Sequence, residues 1–456
     1  MEATLSPSLI RAMWEFLAFL AAEATLFSFA VASQNRDKRR RLQTWSDAAV
    51  SCGLSVVEAS WRRLRLKARK GPVEVRVRYA KRKRHGFRVE VAFPGPPGFS
   101  GVRIRREQQK PRGAREVEIG DKAFDNAFYI VGPVRLLFAL FDAETRHLLI
   151  TLNAESEFEI AGSALRAEMF DPQIADLLPL LLDVAQRFSQ PLDAAERLAA
   201  NAQRDPDAAV RLQNLLLLAR ENPEEPRTVE LLRAACSDAS PLIRLRAAKE
   251  LRAEGHGVLL ELAESTEDDA LCAQAVSSLD RALPFERAAA ILGVALRRRR
   301  LETARACLEV LGRCGAAGAV DELVKVLVRE HGELAVAAAS ALGVAGRPEA
   351  EPSLIAALGR EPMDLQVAAA QALGRAGSAA AVLPLKEAAG RSAELRRATR
   401  QAIAEIQVRL QGASPGQLSL AGSEVGQLSM AQAEAGQVSL APDEGGELSL
   451  GPGGGA

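Results

Sequence analysis

A chain of 456 residues is too long for one ordinary hydrophobic core and implies two or three domains. Aromatic residues make up only 4% of it while alanine, leucine and arginine dominate, which argues against a large β core and for packed helices with small side chains between them. The formal net charge of +1 hides an asymmetry: from Arg62 to Arg115 there are 19 Lys/Arg against Glu74, Glu90 and Glu107, and the rest of the chain carries the compensating acid.

The hydrophobic run Phe16 to Ala32 has 17 residues and one charge, Glu23. That is the lower edge of what spans a bilayer. Trp14 stands near one end as an interfacial aromatic would, and Arg36, Lys38, Arg39, Arg40 and Arg41 follow the other. The positive-inside rule then predicts that residues 1–41 are a single-pass inner-membrane anchor with the bulk of the chain cytoplasmic. Two alternatives remain open. Ala30-Val31-Ala32 resembles a signal-peptidase site, which the basic residues just after it disfavour. The segment also reads as a soluble or surface-lying helix of a cytoplasmic protein, and Glu23 would cost a few kcal/mol in lipid.

Residues 42–170 read as a basic β-rich domain. Leu42 to Leu54 is expected to be a short helix stopped by Gly53. The period then changes to two: Val73, Val75, Val77 and Tyr79 alternate with polar residues, and so do Phe87, Val89, Val91 and Phe93, as in half-buried antiparallel strands joined by the turn Lys81–Gly86. Val102–Arg106, Glu116–Ile119, His147–Asn153 and Glu157–Ile160 are further strand candidates. In Gly120-Asp121-Lys122-Ala123-Phe124-Asp125-Asn126-Ala127-Phe128, Asp121 is expected to accept backbone N–H bonds in a turn while the two phenylalanines plug the sheet. Acid–base work by Asp121 and Asp125 would need a second functional group nearby, and none is evident. The W-x-x-x-A-x-x-x-G-L segment (Trp45, Ala49, Gly53, Leu54) followed by a β meander and G-D-x-x-F-D-x-x-F resembles an uncharacterised bacterial membrane-anchored domain over about residues 12–180; the resemblance implies architecture and no assigned activity. Arg76, Arg78, Lys81, Arg82, Lys83, Arg84 and Arg88 are candidates for an anionic surface: the inner leaflet, where each basic residue contributes roughly 1 kcal/mol, or, as the alternative, nucleic acid. Tyr79, Phe87 and Phe93 share the apolar parity and are expected in the core, not stacked on bases. A solvated strand face without a partner explains the same charges.

Residues 171–205 read as connecting helices and 206–410 as a repeat array. Glu309–Gly315, Ser340–Gly346 and Gln371–Gly377 superimpose, with Leu311, Leu342 and Leu373 each 31 residues apart and Leu279 and Leu251 in the same register. A fixed period near 30 with helical patterning inside each unit marks a solenoid. Each unit divides into two helices; the second ends in L-G-x-x-G, whose terminal glycine is expected to supply a left-handed helix end. The pattern resembles HEAT repeats, the short bacterial kind associated with phycobilin lyases, in about six units at 206–254, 257–283, 284–315, 317–346, 349–377 and 379–410. The lyase activity does not carry over, since such repeats also build non-enzymatic scaffolds. What the resemblance implies is an all-α solenoid that grips a protein partner with the polar positions of its second helices: Arg244, Arg246, Lys249, Gln274, Glu333, Gln366, Gln371, Arg396, Arg397 and Arg400. For any one of these a solvated helix face is the plainer reading.

The tail, 411–456, repeats G-Q-L-S-L at Gly416, Gly426, Gly436 and, with Glu447 in second place, Gly446; its composition reads as disordered. The repeats suit strand addition to a partner's sheet edge, or no role at all. The fold class expected is therefore multidomain: an N-terminal helix with a mostly antiparallel α+β domain, an all-α HEAT-type solenoid and a disordered tail. No P-loop, G-x-S-x-G or H-E-x-x-H is present. The five cysteines (Cys52, Cys236, Cys272, Cys307, Cys314) lack C-x-x-C spacing and read as free thiols, and the four histidines lack ligand spacing. The chain is expected to be a scaffold and not an enzyme, to use no metal or cofactor, and to bind protein partners at a membrane; a regulatory nucleic-acid-binding protein is the alternative.

Overall fold

The computed structural model describes residues 7–81, 85–109, 116–170, 173–390, 392–409, 418–420 and 428–430. The chain forms two compact units, Met1–Ala235 and Cys236–Ala456.

The first unit opens with one helix, α1 (Pro7–Ser51), so the short helix expected from Leu42 is the end of a much longer one. No proline or glycine interrupts it before Gly53, which turns the chain at φ 74. The helix has two environments. Residues 19–34 are exposed on every side, whereas Trp45, Ala48 and Ala49 are buried, with the Trp45 ring edge-on to Phe87 at 4.2 Å. Among the described residues no helix is long and apolar enough to cross a membrane. The expected single-pass span is thus not supported: its apolar run is short and broken by Glu23.

Eight antiparallel strands follow: β1 (Ser55–Ser60), β2 (Arg65–Lys70), β3 (Val73–Lys81), β4 (His85–Ala92), β5 (Arg103–Arg106), β6 (Phe128–Val131), β7 (Glu157–Ala161) and β8 (Ala164–Met169), in the order β1-β2-β3-β4-β8-β7-β5-β6. The period of two puts Val73, Val75, Val77, Val89, Val91, Leu165 and Ala167 on one buried face and the charged residues on the other. Between and after the strands lie α2 (Lys122–Ala127), α3 (Val134–Leu140), α4 (Ala143–Glu155), α5 (Ile174–Phe188), α6 (Ala194–Arg204), α7 (Ala208–Glu221) and α8 (Pro226–Ala235). α5 buries Leu177, Leu178, Leu181, Val184, Ala185 and Phe188 in the core that the sheet also lines.

Two strand expectations fail here. His147–Asn153 lies inside α4, because Asp142 caps the helix by accepting from Thr145 N at 2.9 Å and Thr145, Leu149 and Leu152 fall on one helical stripe. Glu116–Ile119 forms no strand; Val117 N donates to Ile130 O, but the segment then turns into the loop at Gly120. The sequence also reads the array from residue 206 onward, yet α7 and α8 fall in the first unit and Val210 is part of its core.

The second unit is a stack of helices: α9 (Pro241–Glu250), α10 (His256–Ser265), α11 (Asp269–Leu279), α12 (Phe285–Arg298), α13 (Leu301–Cys314), α14 (Ala317–Arg329), α15 (Glu333–Ala345), α16 (Glu351–Ala357), α17 (Met363–Ala376), α18 (Val382–Ala388) and α19 (Ala393–Arg409). From α10 onward they pair as the repeats predict. The second helices of successive pairs pack closely, α11 on α13, then α15, α17 and α19, while the first helices of successive pairs touch little. One continuous core runs through the stack. The expected disordered tail lies outside the described residues except for β9 (Leu418–Leu420) and β10 (Leu428–Met430), which pair antiparallel with Ser419 opposite Ser429.

Candidate protein-binding face

The two glycines of L-G-x-x-G do different jobs. A Cβ on Gly312 would stand 3.1 Å from Ala341 Cα, on Gly343 2.7 Å from Ala372 Cα, and on Gly374 2.9 Å from Ala402 Cα. The first glycine is therefore the contact point between neighbouring second helices, paired each time with an alanine of the next repeat. The second glycine ends the helix in the left-handed region at Gly315 (φ 68) and Gly346 (φ 64). Gly377 departs from that expectation: it is extended at φ −76, and Ser378 after it is held by Glu351 Oε1 at 2.8 Å.

These contacts fix the register in α19, where Ile403 stands in the place of Leu311, Leu342 and Leu373. Each second helix then exposes the residue two before that leucine: Ser277, Glu309, Ser340, Gln371 and Gln401. Six places before it stand the exposed Arg305 and Arg397 and the half-buried Val336 and Val367. Nine places before it stand Glu302, Glu333, Asp364 and Glu394, exposed at helix N-termini where the macrodipole favours acid. This gives a ribbon of side chains along the row, acidic at one margin, of mixed small, polar and basic character at its centre.

The same register sorts the residues named from sequence. Gln371 and Arg397 lie on the ribbon, and Glu333 on its acidic margin. Gln366 does not: it is 5% exposed, seven places before the leucine, in a column with the buried Cys272, Ala304 and Ala335 that packs between helices. Its Oε1 finds no hydrogen-bond partner. The signal was present, since Gln366 shares a helical stripe with Ala369, Ala370 and Leu373. Arg396 and Arg400 occupy the columns that are buried in earlier repeats (Ala335 and Ala339 in α15), but α19 is the last described helix of the row and they are exposed. They give the end of the stack a polar outer face, as terminal repeats require. On α9, Arg244 and Arg246 are half-buried, Arg244 with Nη1 3.6 Å from Glu261, and Lys249 is exposed. Gln274 is half-buried on α11. Ser340 and Ser277 went unnamed from sequence because a small hydroxyl carries no strong signal.

The basic sheet face is a charge lattice. Glu74 accepts from Arg69 Nε at 2.7 Å and Arg76 Nε at 2.6 Å, with Lys67 Nζ at 3.3 Å. The bond from Arg69 first, then those from Arg76 and Lys67, hold its carboxyl down at about 2 against the opposing effect of burial. Arg76 and Arg166 also reach Glu90, and Arg88 pairs with Glu168 at 2.9 Å. Arg78 is exposed between Arg65 and Arg88 in the strand register. Lys81 ends β3; Arg82, Lys83 and Arg84 lie outside the described residues.

Asp121 does what the sequence suggests, capping α2 through Ala123 N and Phe124 N, and Phe124 and Phe128 are buried. It also does more. Its other oxygen accepts from Arg146 Nε at 2.8 Å, and the buried Arg146 grips Asp205 with both terminal nitrogens at 2.8 and 2.9 Å. The motif thus ties α4 to the α6–α7 junction. Asp125 accepts from Ile119 N and Gly120 N; burial pushes its carboxyl up despite those bonds. All five cysteines are free, and Cys307 is a core residue whose thiol burial pushes far up. Among the described residues no group of three His, Cys, Asp or Glu could hold a metal ion.

Residues 320–404 match a family model described as HEAT repeats. No curated protein sequence matches the chain. Similar solved structures include human deoxyhypusine hydroxylase in complex with glycerol (16% identity, 47% of this chain and 96% of that one, TM-score 0.22). They also include the CpcE–CpcF complex of phycocyanin lyase from Nostoc sp. PCC7120 (21% identity, 47% and 96%, TM-score 0.29) and an engineered protein (22% identity, 47% and 90%, TM-score 0.19). By that match, residues 320–404 of this chain are HEAT repeats.

Proposed function

We propose that this protein is a non-enzymatic scaffold that binds a protein partner along the ribbon of its second helices and is held at a membrane by α1. The observation that carries the reading is the register itself. Five stacked helices present Ser277, Glu309, Ser340, Gln371 and Gln401 in one file, and no other described element covers it. A face built this way offers many weak, spaced contacts to a long partner, which is what a solenoid surface does. The membrane part rests on α1, whose exposed Phe19, Leu20, Leu26, Phe27, Phe29 and Val31 precede a basic flank. An interfacial helix with Lys/Arg beside it suits an anionic lipid surface. The alternative of nucleic-acid binding by the sheet is weakened by the carboxylates already paired with Arg69, Arg76 and Arg88.

The test is site-specific photo-crosslinking in cells. A photoreactive residue at Ser340 or Gln371 should give a discrete adduct with another protein. The same residue at Val328, 60% exposed on the first helix α14, should not. Equal adducts from both faces, or none from either, would remove the scaffold reading.

A further inference from the structure

The row of second helices is interrupted at its first member. α9 ends at Glu250 and packs loosely on α11, whereas α11, α13, α15, α17 and α19 pack tightly in succession. In the leucine register, Arg252 holds the place of Gly312, Gly343 and Gly374, and Ser278 of α11 holds the place of Ala341 and Ala372. Where the later helices meet through a missing Cβ, this step carries a guanidinium. The turn cannot move in to close the gap: Arg252 is already in the left-handed region at φ 54, and a Cβ on Gly255 would stand 2.0 Å from the Ala248 carbonyl oxygen. At the next step Asp280 holds the glycine place, but there it pairs outward with Arg313 Nε at 2.8 Å.

The result is a cleft of about 430 Å³ walled by Lys249, Arg252, His256, Gln274, Ser277 and Glu302. That is ligand-sized. The side chains of Lys249, Arg252, His256 and Gln274 make no hydrogen bond or ion pair with other described residues. An ammonium, a guanidinium, an imidazole, an amide and a hydroxyl against one carboxylate make a donor-rich site for an oxyanion. Glu302 repels a second negative charge, which favours a monoanionic carboxylate over a phosphate dianion. The cleft also opens on the ribbon, since Lys249 and Ser277 stand in the file of Glu309, Ser340 and Gln371.

We propose that this cleft is a carboxylate-binding subsite and that the partner enters it through an acidic peptide segment. The inference rests on the scaffold reading and names the chemistry of its partner. The test is calorimetric titration of the full chain, in detergent, with a blocked glutamate-rich peptide, inorganic phosphate and acetate as separate probes. The peptide should bind, and Lys249→Glu and Arg252→Gly should each weaken it by about tenfold or more. Arg252→Gly places the residue that φ 54 favours, so it should fold at least as well as the parent, and a loss of binding there is not a loss of structure. Arg329→Glu, a charge reversal at an exposed residue of the first helix α14 and off the ribbon, should leave peptide binding unchanged. Overturning results are no peptide binding, equal binding by the cleft variants and the parent, equal loss in Arg329→Glu, or phosphate binding the cleft in preference to the peptide. Crosslinking at Ser340 and Gln371 is read independently, so the cleft can fail while the scaffold stands.

Discussion

Single side chains carry much of the first unit's order, and Arg146 carries the most. It is 2% exposed, and its guanidinium meets Asp121, both oxygens of Asp205 and the Phe141 carbonyl. Removing one partner of a buried ion pair leaves the other charge stranded, which costs about 3–5 kcal/mol. Arg146→Ala should therefore lower unfolding stability by about that amount in denaturant titration; a change below about 1 kcal/mol would mean the cluster behaves like a surface pair. Glu74 supplies a second check at this scale. Its folded-state carboxyl sits at about 2, below the ordinary 4.5, chiefly through the bond from Arg69. A lowered carboxylate contributes stability that is whole above the ordinary value and is lost as pH falls through the folded one. A side-chain NMR titration should thus place Glu74's midpoint near 2, and Arg69→Gln should move it upward; an ordinary midpoint in the parent would dissolve the lattice described for the sheet face.

At the scale of elements, identical substitutions should have opposite signs. Gly343→Ala forces a methyl to 2.7 Å from Ala372 Cα and should cost about 1–3 kcal/mol, despite the roughly 1 kcal/mol that alanine gains over glycine inside a helix. Gly257→Ala in α10 meets nothing within 4 Å and should stabilise by about 0.5–1 kcal/mol. Thermal unfolding of the two variants decides this, and matching shifts would refute the packing role of the first glycine. The repeats were legible from sequence because each buries the same columns, so leucine, glycine and alanine recur in step. What those letters do not give is direction. Gln366 reads as a surface residue until the column of Cys272, Ala304 and Ala335 shows that it points into the next helix. Arg396 and Arg400 stand in columns that are buried in earlier repeats, yet on α19 they are exposed. In the first unit the alternation of β3 and β4 was plain, but β1 was not: its residues are nearly all exposed, so no apolar parity marks it. α4 misled for the opposite reason, since Leu148, Ile150 and Leu152 alternate as in a strand although the Asp142 cap starts a helix.

On the scale of the whole molecule, α1 poses the remaining question, because one helix serves two solvents. Trp45, Ala48 and Ala49 are part of the β domain's core; residues 19 to 34 are exposed. Burying each of Phe19, Leu20, Leu26, Phe27, Phe29 and Val31 would contribute roughly 1.5–3 kcal/mol, so together they far exceed what the basic flank adds by charge at roughly 1 kcal/mol per residue. Two consequences separate. Deleting residues 1–34 should leave the unfolding midpoint of the remaining chain within about 2 °C of the parent, because residues 19–34 are exposed, whereas Trp45→Ala should cost about 3–5 kcal/mol. The parent should pellet with membranes and stay there in high salt, which screens charge but not apolar burial, and the deleted chain should be released. Release of the parent by salt would assign the attachment to Arg36 through Arg41 alone, and a parent that never pellets would remove the membrane from the reading while leaving the second-helix ribbon untouched.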